Sequence, residues 1–295
     1  MEKFKRGKRR NMEVTKDNRF DISLDTKLWR YMSFAKFVEL LRTKNLHLPS
    51  AMMFEDPYEG ACGEAKNTDL LVEYLSNIVD NRIQEKGELQ VEHDTVREII
   101  SKAHKYYNDL GASNKYFTFI SCWHENETES EAMWKLYTQK QPEGVAIQTT
   151  FGALKKAINN PDVQIGRVSY VDYEQTFFTS DSYFWYKRKF FEHEREVRVI
   201  MIPDDDLRKK MVEDYKRNTI VVNLPIDLDV LIKNVYVSPY ADVWFRDLVV
   251  DEMKRCNLAK SILYSSLNQR PIYLPTMAQL MRTLSRDSKE TDKQK

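Results

Sequence analysis

The sequence predicts a mixed α/β fold, and three observations carry that expectation. Short apolar runs of strand character alternate with stretches whose apolar residues recur at helical spacing. A strand–helix–strand succession between residues 234 and 267 has the form of a βαβ unit. No Gly/Ser-rich or Pro-rich linker, repeat or low-complexity tract divides the chain, so one folded unit over 21–284 is the simplest organisation.

In chain order, residues 1–20 read as a flexible basic arm. Leu28-Trp29-Arg30-Tyr31-Met32, free of Gly and Pro, is the first strand candidate. Phe34, Phe37, Val38 and Leu41 then repeat at i, i+3, i+4 and i+7, with Ser33 placed to cap the helix. A loop from Leu48 to Gly60 carries Pro49 and Pro57. Residues 66–112 read as a helical insertion: Leu71, Tyr74, Leu75 and Ile78 mark one helix, and Val96, Ile99, Ile100 and Ala103 another. The run from Tyr116 to Trp123 reads as a buried strand, followed by a helix from about Glu129 with Thr128 and Glu131 at capping-box spacing, ended by Pro142 and Gly144. Gly144–Thr150 and Gln164–Tyr170 are strands, and Asp181–His193 is helical. Glu194–Ile202 is a strong strand stopped by Pro203. Thr219–Leu224, Asn234–Val237 and Ser261–Leu267 complete a set of roughly seven or eight strands. The helix between the last two is marked by Phe245, Leu248, Val249 and Met253. Residues 285–295 are a charged tail without apolar anchors, expected to be disordered.

Composition narrows the function classes. The net charge of +1 gives no whole-chain argument for nucleic acid or membrane binding. Lys3, Lys5, Arg6, Lys8, Arg9 and Arg10 nonetheless crowd the N-terminus, either as a solvated arm or as a nucleic-acid contact. No apolar run suits a signal peptide or a membrane span. Three scattered cysteines, Cys62, Cys122 and Cys256, argue against a disulfide framework and for a reducing, cytoplasmic compartment.

Four segments have residues suited to chemistry. In Glu194-Arg195-Glu196-Val197-Arg198, strand alternation puts Glu194, Glu196 and Arg198 on one face. Two carboxylates about 7 Å apart repel unless cations or a substrate meet them; the alternative is an edge strand with a solvated face. Ser121 lies in an apolar strand, where its hydroxyl needs a partner, either nearby backbone or a ligand. Cys122 and His124 share a face but lack the companions of a zinc site. Arg30, between Trp29 and Tyr31, suits a phosphate or carboxylate, or a surface position beside the core. The loop Phe54-Glu55-Asp56-Pro57-Tyr58-Glu59 combines carboxylates, aromatics and a turn, as an ordinary connection or as a pocket wall.

These segments, with Cys122-Trp123, Met133-Trp134 and Gly144, resemble a bacterial family known only as domain of unknown function 2971, over most of residues 28–270. More distantly, Arg30, Ser121 and Glu194-Arg195-Glu196 resemble, in type and order, the ADP-ribosyltransferases of the Arg-Ser-Glu type. That resemblance implies a split β-sheet core, NAD as substrate and a protein or nucleic-acid acceptor, in a toxin or phage-defence effector. It assigns catalysis to Glu196 and Glu194, and NAD binding to Arg30, Tyr31, Ser121, Asp56 and Tyr137, with Tyr137 or Trp134 against the nicotinamide. No metal is implied. A different chemistry fits some of the same residues: Asp56, Glu59, Glu194 and Glu196 around Mg²⁺ in a nuclease, with Arg198 near the scissile phosphate. A third possibility is a non-catalytic binding module, in which Arg30, Glu194 and Glu196 lie far apart.

Overall fold

The structure, a computed structural model, describes residues 18–61, 114–138, 142–174, 183–204, 208, 221–269, 271 and 275–282. The expected insertion at 66–112, the first seventeen residues of the arm and the tail at 285–295 lie outside the described residues.

The elements in order are β1 (Lys27–Ser33), α1 (Phe34–Thr43), β2 (Asn45–Pro49), β3 (Phe119–Glu125), α2 (Glu131–Tyr137), β4 (Gly144–Thr150), α3 (Phe151–Ile158), β5 (Val163–Arg167), β6 (Ser169–Val171), β7 (Tyr186–Arg188), β8 (Glu196–Met201), β9 (Val221–Pro225), α4 (Leu228–Leu231), β10 (Asn234–Val237), α5 (Val243–Arg255) and β11 (Ser261–Tyr264). The fold is the mixed α/β class that the sequence predicts. Seven strands form one sheet in the order β11-β10-β4-β1-β3-β8-β5, while β2 pairs with β9 and β6 with β7. β10 and β11 are parallel across α5, the expected βαβ unit.

The sheet is split. β1 pairs with β4 along all seven of its residues, but with β3 only through Leu28–Glu125 and Trp29–His124. Continuing that register would set Arg30 against Trp123 and Tyr31 against Cys122, and there the ladder has already ended. Two half-sheets, β11-β10-β4-β1 and β3-β8-β5, therefore share a short seam and then fork.

Apolar packing respects the split. One face is covered by a continuous core of Leu28, Met32, Phe37, Leu41, Trp123, Val145, Ile147, Val197, Val199 and the inner sides of α1, α3 and α5. The other face carries two separate clusters. Trp29, Tyr31, Met133, Trp134 and Ala146 lie on the β1–β4 half, and Ile120, Ile200, Tyr173, Tyr183, Phe184 and Trp185 on the β3–β8 half. The same face also carries the buried polar residues His124, Glu196 and Arg198.

Several boundaries differ from the sequence reading, each for a local reason. Tyr116 and Phe117 are helical rather than extended, and the strand starts at Phe119. α2 is capped by Ser130, whose Oγ accepts from Met133 N at 3.4 Å, instead of by Thr128. The helix expected at 181–193 is instead two 3-10 turns around β7, where Lys187 is drawn into the interior. β8 is no edge strand: it runs between β3 and β5 with every residue buried.

Candidate active site

The turn before β8 decides the geometry. Arg195 adopts a left-handed conformation with φ of 41°, so the extended backbone starts only at Glu196. Glu196 and Arg198 share a face, as alternation requires, while Glu194 reaches the same place from the 3-10 turn. Lys187 Nζ donates to Glu194 Oε2 at 2.7 Å and to Glu196 Oε1 at 2.6 Å. Arg198 Nε donates to the second oxygen of Glu196 at 2.5 Å. Its guanidinium fork grips both oxygens of Glu59 and donates to the carbonyl of Phe184 at 2.7 Å. The Glu196 backbone N–H donates to Tyr170 Oη at 2.8 Å.

Three buried carboxylates thus meet two buried cations, and one proton balances the set. Burial first, and then the neighbouring Glu196, pushes the Glu194 carboxyl up to about 7. Burial pushes Glu196 upward too, but Arg198, Glu194 and Lys187 together outweigh it and hold this carboxyl below the usual carboxylate range. The pair titrates as a unit, with the proton on Glu194 and the charge on Glu196.

The acid pair stands at the mouth of the fork. Glu196 pairs across the ladder with His124, and His124 with Trp29, so these three form the last row before β1 and β3 part. In the forked region Arg198 is opposite Cys122, whose thiol burial pushes up. Tyr137, at the end of α2, keeps 38% of its surface exposed, and its hydroxyl is raised by burial first and then by Cys122, Glu194 and Glu196. Arg30, on the same side of β1 as Leu28 and Met32, lies over the Trp123 ring at 5.6 Å, near enough to Cys122 and Tyr137 for both to bear on its charge. Burial lowers its pKa to about 10, and among the described residues no carboxylate pairs with it.

The sequence-predicted residues divide into those at the fork and those away from it. Glu194 and Glu196 meet at Lys187, and Tyr137 is near enough for both to act on its hydroxyl; Arg30 neighbours Tyr137 and Cys122 but leaves β1 on the core side. Tyr31 is buried beside it, edge-on to Trp134 at 4.9 Å, with its hydroxyl accepting from Ser130 N at 2.8 Å. Asp56 stands farther along the β8 half, bound to Arg188 at 2.7 Å. Ser121 is not brought to the acid pair: it is opposite Val199, on the core face, where its buried Oγ has no hydrogen-bond partner among the described residues. Neither nearby backbone nor Glu196 holds it. Sequence reasoning missed Lys187, hidden in a segment of helical appearance, and His124 as a member of the acid-pair row. The four carboxylates of the nuclease alternative do not form a cation-free cluster: Arg188, Arg198 and Lys187 already hold them. Among the described residues no group of three or more His, Cys, Asp or Glu could hold a metal ion, and no helix is long and apolar enough to cross a membrane.

No family model matches this chain, so the resemblance to family 2971 has none behind it, and no curated protein matches it either. Solved structures of DarT from Thermus sp. 2.9 do superpose on it. The complex with ADP-ribosylated ssDNA covers 83% of this chain and 95% of its own, at 9% identity and a TM-score of 0.35. The complex with carba-NAD+ covers 82% and 96% at 10% identity, and that with NAD+ 84% and 100% at 9%, both with TM-scores of 0.35. At that score the superposition carries no weight for function, which rests on the site alone.

Proposed function

We propose that this chain is an NAD-dependent ADP-ribosyltransferase acting on a macromolecular acceptor, of the kind used by toxins or phage-defence effectors. The observation that carries the reading is the acid pair on Lys187, one carboxyl held ionised and its neighbour poised near neutrality, at a fork where Arg30 has no carboxylate partner among the described residues. Paired acids whose surroundings drive their pKa values apart are the arrangement that divides charge stabilisation from proton transfer. Two residues support the substrate: the Arg30 guanidinium has the chemistry to bind a pyrophosphate, and the part-exposed Tyr137 ring that to meet the face of a nicotinamide.

NAD would supply an anomeric carbon that becomes cationic as nicotinamide departs. Glu196, anchored through both oxygens, keeps a fixed negative charge without reorganising. Glu194, with a pKa of about 7, is ionised in part of the molecules at neutral pH, and that carboxylate takes the proton of the acceptor nucleophile beside the Lys187 ammonium. Arg30 holds the phosphates across the gap. Ser121, on the opposite face, has no part in this scheme.

The test is release of nicotinamide from NAD with water in the place of the acceptor nucleophile. Glu194→Gln should lower it by about 100-fold or more, the scale of general acid–base catalysis, while the fold survives because Gln resembles the protonated acid. Wild-type protein that neither releases nicotinamide nor gives calorimetric heat with the dinucleotide would remove the assignment.

A further inference from the structure

We infer that His124 is a ligand-contacting residue of this site, its Nε2 accepting a hydrogen bond from an O–H or N–H donor of the bound dinucleotide. The inference rests on the proposed function and adds to it a residue that sequence order did not single out. His124 is only 4% exposed. Its Nδ1 lies 2.6 Å from the carbonyl oxygen of Glu194. A carbonyl can only accept, so Nδ1 carries the hydrogen and Nε2 keeps the lone pair. That Nε2 is buried with no hydrogen-bond partner among the described residues. Buried acceptors are ordinarily satisfied, and one without a partner beside an acid pair marks a position that a donor can fill. Its place supports this. His124 is the middle of the last row before the fork, between Glu196 and Trp29, with the Tyr31 ring 6.3 Å away. Burial, the largest influence, lowers its pKa, so the imidazole is neutral at pH 7 and the acceptor stays available. Donors of this chemistry on NAD are the ribose hydroxyls, the adenine amine and the nicotinamide carboxamide.

Two substitutions separate a ligand contact from a structural role. His124→Asn keeps a donor where Nδ1 reaches the Glu194 carbonyl but removes the group at Nε2. His124→Gln does the reverse. Calorimetry with carba-NAD, alongside thermal melting, should show the Asn variant folded near the wild-type temperature and binding about tenfold more weakly, the scale of one lost hydrogen bond, with the Gln variant closer to wild type. Repeating the titration with ADP-ribose locates the donor: a loss with both ligands places it in the ADP-ribose part, a loss with carba-NAD alone in the carboxamide. An Asn variant that binds as tightly as wild type overturns the inference and leaves the proposed function standing. So does an Asn variant that loses its fold along with its binding, the mark of a structural role. Wild-type protein that binds neither ligand removes both.

Discussion

At the scale of single residues, the arrangement turns on how a buried carboxylate is compensated. Arg198 and Glu59 are both fully buried and joined through both oxygens, so Glu59→Gln leaves a guanidinium facing a weaker partner inside the protein. Breaking a buried pair in this way costs roughly 3–5 kcal/mol. Arg167→Gln, which breaks the more exposed pair with Glu125, should cost less than about 1 kcal/mol. Denaturant melts of the two variants check the contrast, and equal losses would show that the Arg198 cluster is solvated. Protonation offers a second measurement. Glu194 has a folded pKa of about 7, above its ordinary 4.5. Between those values the folded chain holds a proton that the unfolded chain has released. The contribution of Glu194 is therefore complete below about pH 4.5 and is lost as pH rises through about 7. Glu196 acts with the opposite sign, its contribution falling away only as pH drops below 4.5. Stability measured between pH 5 and 8 should decline for the wild type, and the decline should flatten in Glu194→Gln. A decline of the same slope in the variant would show that some other group titrates.

At the scale of elements, the segment joining Asp56 to Gly60 behaves as a clasp. Asp56 binds Arg188, Glu59 binds Arg198, and Gly60, with φ of +72°, turns the chain where an added Cβ would meet the Phe184 ring at 2.5 Å. Gly60→Ala is strained both by its backbone and by this contact, and should cost more than about 1 kcal/mol. Because Glu59 is the adjacent residue, its effect should be non-additive with Glu59→Gln in a double-mutant cycle; simple additivity would mean that the turn and the ion pair act separately. The same segment shows where sequence reasoning reached its limit. Periodicity located β1, β4, β10 and α5 well, since their apolar residues face one continuous core. It missed α3 and β2, and read β7 as helix, because burial of Lys187 depends on two acids seven and nine residues farther on, reached across a turn, and leaves no periodic trace. Glu194 and Glu196 could be paired from spacing alone. That Ser121 faces away from them could not, since which face meets the acid pair is set by register with β8.

At the scale of the whole molecule, the short β1–β3 seam makes the fork a consequence of topology: the two half-sheets each complete a hydrophobic layer, and the row of Trp29, His124 and Glu196 lies where they part. Charge is distributed just as unevenly. A net charge of +1 supplies no overall attraction for a polyanion, yet six cations occupy the first ten residues. The first described residues pack on Trp185 and Tyr186, just before Lys187 in the chain. Arg19 stacks 5.8 Å from the Trp185 ring and 5.2 Å from Tyr186, and donates to the Tyr186 hydroxyl, one residue before Lys187. If the acceptor is nucleic acid, the six cations of the first ten residues would raise its affinity for the chain. Each phosphate neutralised contributes about 0.9 to the slope of log affinity against log salt for duplex DNA and about 0.7 for single strands. Deleting residues 1–10 should then weaken single-stranded DNA or RNA binding at low salt, flatten that slope by a few units, and leave nicotinamide release without an acceptor unchanged. An unaltered slope would exclude the arm from acceptor binding. A fall in nicotinamide release on deletion would instead assign the first ten residues to the dinucleotide site, where repulsion between the acids and attraction to the pyrophosphate both respond to added positive charge.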